Sequence, residues 1–470
     1  MKVKYFTHAC FQVVTEQGVR LLCDPWTYNP VSNILWQFPE CPIPPSEYVD
    51  QDYLYISHNH ADHWDPLTLQ HIPRTIPVII RAYGDIDNPM RPTLHKMGFN
   101  VIELGHGETR RLERDLTITL YADLPTVDSA VVISDEQHSV FHQNDCMMAL
   151  EEAEKIGAAH KVDVALLGVV NSSIYPTFFI MDEERKKSET EVRKRTVLER
   201  TSAYGKAIRA PYVIPCASDL VYIRLPETDD FLGPHAVEFR QYAADQGLGF
   251  EVLTMAPGDT LDLDAVRKDF QPAYSSHAEL VEKLNAMRRR PDIQRTLAAQ
   301  EAWEAGFTYD EEAYVPAMNA YVEHVSRNFE KVFENYTGSS TSPYRVLFAV
   351  HDEQGLKGFE VTIDFGRRAM GFAAVPYTTS TDGRNMVMEF SAKCLAMQMS
   401  CAMDIADIRS GWSRIYRPGA LTAEEIAFWY VMALFNPFLQ EQGLMVPHPP
   451  FEGRVSTVFR AEPPFAAEAA

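Results

Sequence analysis

The segment 53–68, YLYISHNHADHWDPLT, decides the fold of this chain. It starts as a run of apolar and aromatic residues typical of a buried strand, and it ends as the first turn of a helix, where Pro66 stands at a position whose missing N–H costs little. The intervening HNHADH places four ligand-type side chains on a strand-to-helix turn. Two imidazoles can bind one metal ion there, and a carboxylate with an imidazole can bind a second. We therefore predict a dinuclear metal site that includes His58, His60, Asp62 and His63.

Size and composition predict a globular protein of more than one domain. The chain has 470 residues, and single hydrophobic cores stop growing near roughly 250–300 residues. The net charge of −22 repels phosphate backbones, which excludes general nucleic-acid binding. The start of the chain alternates like a strand, and no stretch reaches the roughly 18 apolar residues of a membrane span. We expect a cytoplasmic protein without membrane association.

The pattern along the chain divides into three parts. Residues 1–270 alternate short apolar runs with turns, as in a sheet-rich α/β domain. Residues 271–340 have helical patterns and form a predicted connector, and residues 341–470 are predicted to form a small α+β domain, in which Cys394–Ile408 has the pattern of a helix. Nine strands are predicted in the first part: Phe11–Val14, Arg20–Cys23, Tyr53–Ser57, Val78–Ile80, Leu116–Tyr121, Ala130–Ser134, Ser139–Gln143, Val164–Leu167 and Tyr212–Pro215.

A charged helix is predicted between residues 185 and 207, where basic and acidic side chains alternate. It is either a solvated helix face or an anion-binding surface, and both interpretations stay open at this stage.

The motif H-x-H-x-D-H resembles that of the metallo-β-lactamase superfamily, and the chain is most similar to the branch of CMP-N-acetylneuraminate hydroxylases. Further segments carry the resemblance: Phe6–Cys10, Leu21–Trp26, Asn144–Cys146 and Met255–Leu263. It implies an αββα sandwich, and the C-terminal α+β unit by itself resembles the sterol-carrier-like lipid-binding domain. Those hydroxylases carry a Rieske iron–sulfur domain, whereas this chain has no C-x-H…C-x-x-H pattern. We therefore expect electrons from an external donor.

The resemblance also implies ligands outside the motif. Asp145 occupies the position of the bridging aspartate, although an Asx-turn residue is the alternative. The segment where the family has a third histidine contains none, so Asp123 or Asp128 would have to substitute. The last histidine is also missing, and Asp219 or His235 is the candidate for its place.

Carboxylates in place of imidazoles make a metal site harder and more anionic, which favours iron or manganese over zinc. We expect two iron ions, with zinc or manganese as the alternatives. The resemblance extends to diiron monooxygenases of natural-product pathways, which implies hydroxylation of an apolar small molecule linked to a carrier or to CoA. The alternatives are a dinuclear hydrolase of a thioester, lactone or phosphodiester, and a non-catalytic metal-binding protein. In the C-terminal part, a set of methionines lines either an apolar cavity or an ordinary core: Met386, Met388, Met397, Met399 and Met403.

Overall fold

The structure is a computed structural model. It describes residues 1–446 and 448, apart from 27, 31–34, 85–87, 89, 124–127, 170–173, 267–268, 335, 337, 339, 341, 353–354 and 418–421. The chain divides into two compact units. The first unit comprises Met1–Ser173 and Ser188–Arg290, and the second comprises Ile174–Lys187 together with the described chain from Pro291 onward.

The first unit is built on two seven-stranded sheets and a small two-stranded one. Its strands in chain order are β1 (Lys2–Thr7), β2 (Cys10–Val14), β3 (Arg20–Cys23), β4 (Trp36–Gln37), β5 (Tyr53–Tyr55), β6 (Val78–Arg81), β7 (Val101–Leu104), β8 (Thr109–Arg111), β9 (Thr117–Ala122), β10 (Ser129–Ser134), β11 (Ser139–His142), β12 (Val164–Gly168), β13 (Tyr212–Cys216), β14 (Leu220–Val221), β15 (Glu251–Val252) and β16 (Thr260–Asp262). One sheet has the order β16-β1-β2-β3-β5-β6-β7, and the other has the order β15-β13-β12-β11-β10-β9-β8.

Helices cover the outer faces of the two sheets. The helices of this unit are α1 (Pro66–His71), α2 (Met90–Lys96), α3 (Leu150–Ala159), α5 (Glu183–Ile208, from Ser188 onward), α6 (Ala236–Gln246) and α7 (His277–Arg288), whereas the short α4 (Ile174–Thr177) belongs to the second unit. The core between the sheets contains alternate residues of strands from both, such as Val13 and Val131. Further cores lie on the outer faces, against α1 and α2 on one side and against α3, α5 and α6 on the other. This layering is the predicted αββα sandwich.

The parallel strands of both sheets end at the segments that carry the candidate ligands. Strands β3, β5, β6 and β7 run parallel in the first sheet, and β11, β12, β13 and β15 run parallel in the second. The motif follows β5, and Asp145 follows β11. Because side chains beyond the carboxyl ends of parallel strands share one edge of a sheet, this is where α/β folds bind ligands.

The second unit contains a five-stranded sheet covered by helices. Its further elements are α8 (Pro291–Glu304), α9 (Glu311–Arg327), α10 (Phe329–Val332), β17 (Tyr344–Asp352), β18 (Gly355–Asp364), β19 (Ala369–Val375), β20 (Met386–Ser391), α11 (Ala392–Met399), α12 (Ile405–Asp407), β21 (Ser413–Tyr416), α13 (Ala423–Ala433) and α14 (Phe435–Glu441). The sheet order is β19-β18-β17-β20-β21, in which only β17 and β20 are parallel. The five methionines all lie in the core of this unit.

The nine predicted strands form at the predicted places, with ends that differ by one or two residues. One helix prediction was wrong: the pattern 394–408 indicated a single helix, whereas α11 ends at Met399 and α12 starts at Ile405. The chain reverses at Cys401, whose φ of 53° is left-handed, and Asp404 caps the next helix by accepting a hydrogen bond from the Asp407 N–H. Within the described chain, no helix combines the length and apolarity required to cross a bilayer.

Candidate metal centre

The motif lies on the turn between β5 and α1, as its residue pattern predicts. Asp65 caps α1 by accepting hydrogen bonds from the backbone N–H groups of Leu67 and Thr68, which fixes where the turn ends. His58 and His63 are fully buried, whereas His60 is exposed. The turn therefore directs its imidazoles toward the edge of the sheets from several sides.

A buried carboxylate, Asp24 at the end of β3, orients two of these imidazoles. Its Oδ2 accepts hydrogen bonds from Ser57 Oγ at 2.8 Å and from His63 Nδ1 at 2.9 Å. Ser57 Oγ lies 2.9 Å from His58 Nδ1 and accepts from it, because its own proton points to Asp24. Both rings are thus held with Nδ1 protonated and Nε2 turned to the site, the arrangement that outer carboxylates impose on metal-ligating histidines.

The structure brings together two groups of side chains that could each bind a metal ion. The first consists of His58, His60 and Asp145, and the second consists of His8, Asp62 and His63. Within each group the ligand atoms lie within 4.8 Å of one another. His58 Nε2 and His60 Nδ1 are 2.7 Å apart, close to the roughly 3 Å expected for two nitrogens that each bind one ion at about 2.1 Å.

Asp145 lies between the two groups. It belongs to the first group, and its Oδ2 is 3.5 Å from His63 Nε2 of the second. The preceding Asn144 has a left-handed φ of 46°, and its side chain accepts from the Asp145 N–H while it donates to the Ser129 carbonyl. Such backbone geometry in a non-glycine residue is uncommon and clusters at functional sites. The Asn144 side chain thus makes the hydrogen bonds that fix this backbone, and the Asp145 carboxylate, whose Oδ1 has no hydrogen-bond partner among the described residues, faces both groups.

Asp128 stands beside the first group, with Oδ1 3.8 Å from His58 Nε2. The buried Arg81 holds the ends of the loop that carries it, because Nη1 donates to the carbonyl oxygens of Asp123 at 2.9 Å and Asp128 at 3.0 Å. The intervening residues 124–127 lie outside the described residues. The side chain of Asp128, one of the two candidates for the missing third histidine, therefore approaches a motif imidazole.

Asp219 and His235, the candidates for the last ligand, belong to neither group among the described residues. Asp219 accepts hydrogen bonds from the His8 N–H at 3.0 Å and from the Tyr5 hydroxyl at 2.8 Å, so it holds the backbone of His8. His235 precedes α6, and its ring lies 5.6 Å from the ring of Tyr274.

His8 is the residue that sequence reasoning missed. It follows β1, has a left-handed φ of 49°, and places Nε2 3.1 Å from Asp62 Oδ2. The only signal in the sequence was a histidine set between two apolar strands, within a segment that carried the family resemblance. Its role depends on the close approach of the loop after β1 to the motif, which the local pattern does not encode.

The electrostatics of the centre are those of a cation site. Burial alone would raise the pKa of Asp145, but the adjacent His63 lowers it to about 2. Burial would lower the pKa of His63, but Asp145 and Asp62 raise it well above its ordinary value. Burial raises the pKa of Asp128 to about 6, helped by the charge of Asp145. The carboxylates thus stabilise positive charge at the metal centre. Without a metal ion, the proton on His63 provides this charge.

The residues present fit metal ions. His63 Nε2 is a buried nitrogen without a hydrogen-bond partner among the described residues, and it faces Asp62 Oδ2 at 3.8 Å and Asp145 Oδ2 at 3.5 Å. A buried polar atom without a partner is unusual and indicates a missing ligand or ion. The donor set of imidazoles and carboxylates suits zinc, iron or manganese.

A family model described as the β-lactamase superfamily domain matches residues 2–217, which include the motif and all of both groups. This part of the chain is a β-lactamase superfamily domain. The predicted superfamily and fold class are thereby confirmed.

The relatives of this β-lactamase superfamily domain include proteins named as iron–sulfur proteins and proteins named as hydroxylases. A Mycobacterium tuberculosis protein named as a Rieske 2Fe-2S iron–sulfur protein is 27% identical over 344 residues, which cover 67% of this chain and 59% of the relative. The cytidine monophosphate-N-acetylneuraminic acid hydroxylase of Cricetulus griseus is 26% identical over 156 residues, 31% of this chain and 27% of the relative. This chain thus spans less than two thirds of either relative.

Among solved structures, a metallo hydrolase from the archaeon Ignicoccus hospitalis is similar, with a TM-score of 0.39 and 22% sequence identity over 55% of this chain and 97% of that one.

Proposed function

We propose that this chain is a nonheme diiron monooxygenase that hydroxylates an apolar small molecule linked to CoA or to a carrier. The observation that carries the proposal is the carboxylate of Asp128 beside His58, at the position where the family resemblance implies a third histidine. With Asp62 and Asp145, it makes three carboxylates around the two groups. Hard, anionic donors favour iron and its higher oxidation states.

Each side chain has a role in this proposal. His58, His60 and Asp128 would hold one iron, His8, Asp62 and His63 would hold the other, and Asp145 would bridge the two. Bound iron would supply the reduction of O2, in which two electrons from an external donor and two protons convert one oxygen atom to water while the other enters a C–H bond. The domain match and the hydroxylase among the relatives support hydroxylation as the reaction class.

A hydrolase is the second candidate, and His8 favours it. With His8, the centre has four imidazoles rather than the three of the motif, so it is less carboxylate-rich than the sequence indicated. A dinuclear zinc centre needs only a bound water whose pKa the metal lowers.

The test compares two matched substitutions at the ends of one loop, Asp128→His and Asp123→His. Protein from iron-supplemented and zinc-supplemented cultures is analysed for metal content, and O2 consumption is followed with a chemical reductant. We expect about two irons per wild-type chain. Asp128→His should shift the preference toward zinc and reduce O2 consumption, because imidazole is a softer donor than carboxylate. Asp123→His should leave both unchanged.

The hydrolase alternative is tested without oxygen. Zinc-loaded protein is incubated anaerobically with acetyl-CoA and with bis(p-nitrophenyl) phosphate, and His60→Ala serves as the metal-deficient control. Cleavage by the wild type that the control lacks would overturn the monooxygenase proposal and leave the metal centre standing.

A further inference from the structure

Two half-buried arginines of α5, Arg193 and Arg200, lie on the side of the helix that carries its buried residues. Arg193, Val197, Arg200 and Tyr204 follow one another at spacings of four, three and four residues, which places them along one side of a helix. Val197 is fully buried and Tyr204 is 6% exposed, and both belong to the core on the outer face of the second sheet. The two arginines therefore extend from the side of α5 that packs against the first unit.

This face of α5 is tied to the loop that carries the bridging aspartate. The Tyr204 hydroxyl donates a hydrogen bond of 2.5 Å to the carbonyl of Met148, three residues after Asp145. One turn earlier, Thr201 Oγ1 donates at 2.9 Å to the carbonyl of Gly168, where β12 ends. These two contacts join this face of α5 to the segments where β11 and β12 end, the edge of the second sheet that also carries Asp145.

The two guanidinium groups lack partners. Arg193 Nε and Arg200 Nη2 are buried atoms with no hydrogen-bond partner among the described residues. The neighbouring Lys194 is different, because its Nζ lies 3.0 Å from Glu238 Oε1. Burial lowers the pKa of both arginines, and the charge of Arg193 lowers that of Arg200 further. A guanidinium still stays protonated in a protein, so each of these buried donors requires an acceptor.

We propose that Arg193 and Arg200 form a phosphate-binding subsite beside the metal centre. A phosphate monoester carries about −1.5 to −2 charges near neutral pH and can satisfy two guanidinium groups, whereas a carboxylate carries only one charge. The forked donors of arginine match phosphate oxygens. The chain as a whole has a net charge of −22, which repels anions over long range. Arg193 and Arg200 are a local cluster of positive charge, so an anion would bind at this subsite rather than elsewhere on the surface.

This proposal extends the proposed function and rests on it in one respect. The phosphate would be part of the substrate that reacts at the same metal centre. Two sources have this chemistry. One is the 3′-phosphate monoester of CoA, and the other is a phosphorylated small molecule.

The test measures binding, without turnover, to the metal-containing protein as purified. Inorganic phosphate and CoA are titrated separately by calorimetry into the wild type, Arg193→Met, Arg200→Met and the control Arg195→Met. Arg195 is an exposed arginine of the same helix, so the control makes the same change in charge and volume. We expect the first two variants to lose roughly tenfold or more in affinity at unchanged metal content. The control should stay within about twofold of the wild type, because a distant exposed charge is screened.

Binding of phosphate directly to a metal ion would persist in all four proteins, so it cannot produce the expected difference. Tighter binding of CoA than of phosphate would assign the subsite to the 3′-phosphate of CoA, and the reverse order would assign it to a phosphorylated small molecule. If the wild type binds neither probe, or if the arginine variants bind as the wild type does, the proposal is overturned.

A thermal measurement separates a ligand-binding role from a structural one. Without added anion, Arg200→Met should unfold at the same temperature as the wild type or at a higher one, because it removes a buried charge that has no partner. A lower unfolding temperature for Arg200→Met than for Arg195→Met would mean that the arginine stabilises the fold, and it would overturn the proposal. Neither measurement requires iron or oxygen, so the subsite and the monooxygenase proposal can fail independently.

Discussion

Asp24→Asn is expected to weaken the second metal group more than the first, although Asp24 contacts no metal-facing nitrogen. The Asp24 carboxylate accepts from the Ser57 N–H at 2.7 Å, from Ser57 Oγ at 2.8 Å and from His63 Nδ1 at 2.9 Å. In the Asp24→Asn variant, the side-chain oxygen keeps the hydrogen bond from the Ser57 N–H. The amide NH2 group then takes the place of the other carboxylate oxygen and faces His63. Two donors then meet, and the imidazole must move its proton from Nδ1 to Nε2, the atom that a metal needs.

The size of the effect follows from the lost contact. A charge-assisted hydrogen bond contributes about 1.5–3 kcal/mol, which corresponds to roughly 10- to 150-fold in affinity. Loss of an outer-shell partner typically costs about 10–100-fold in metal affinity, in agreement with this range. We therefore expect the affinity for the second ion to fall by about 10- to 100-fold, with a smaller effect on the first, which Asp24 reaches only through Ser57 and His58.

Competition with a chromogenic chelator measures both affinities, and circular dichroism monitors the fold. Asp115→Asn is the matched control, because Asp115 is a buried aspartate that accepts from Thr15 Oγ1 and from the Gln17 N–H, outside both groups. If Asp24→Asn kept wild-type affinity for both ions, Asp24 would not orient His63, and the argument from the tautomer would be refuted.

Four further predictions concern single side chains. His60→Ala should lose the first ion yet change the free energy of unfolding by no more than about 0.5 kcal/mol, since His60 is exposed; full metal content by elemental analysis would contradict its ligand role. His8→Ala should lose the second ion at concentrations that saturate the wild type, and two ions per chain in this variant would exclude His8. Asp145→Asn should lower the stoichiometry from about two toward one, because a bridging carboxylate is lost; an unchanged value would count against a shared ligand. Met388→Ala should destabilise the second unit by about 2–5 kcal/mol in urea unfolding, because Met388 is fully buried in its core; a cost below about 1 kcal/mol would favour a cavity instead.

Much of the fold could be predicted from local patterns. Strands such as Arg20–Cys23 and Ser129–Ser134 formed where alternation or a buried apolar run indicated them, because the period of a strand depends on adjacent residues only. The prediction that residues 394–408 form one helix failed because a left-handed residue, Cys401, interrupts an apolar pattern that continues across it. Ends of elements are decided by caps such as Asp404, whose effect depends on a few hydrogen bonds rather than on periodicity.

The sequence by itself determined that the side chains of the motif converge. The motif has four ligand-type residues in six positions at a strand end, and they converge whatever surrounds them because the turn is short. It also determined that Asp145 is a candidate bridge, through the family resemblance. Only the tertiary structure decided the rest of the site. His8 joins Asp62 across 54 positions of sequence, and the Asp128 side chain approaches His58. Asp219 holds His8 and, in the part of the chain that the structure describes, joins neither group. These outcomes depend on which strand ends the two sheets bring to one edge, and no spacing within a single segment carries that information.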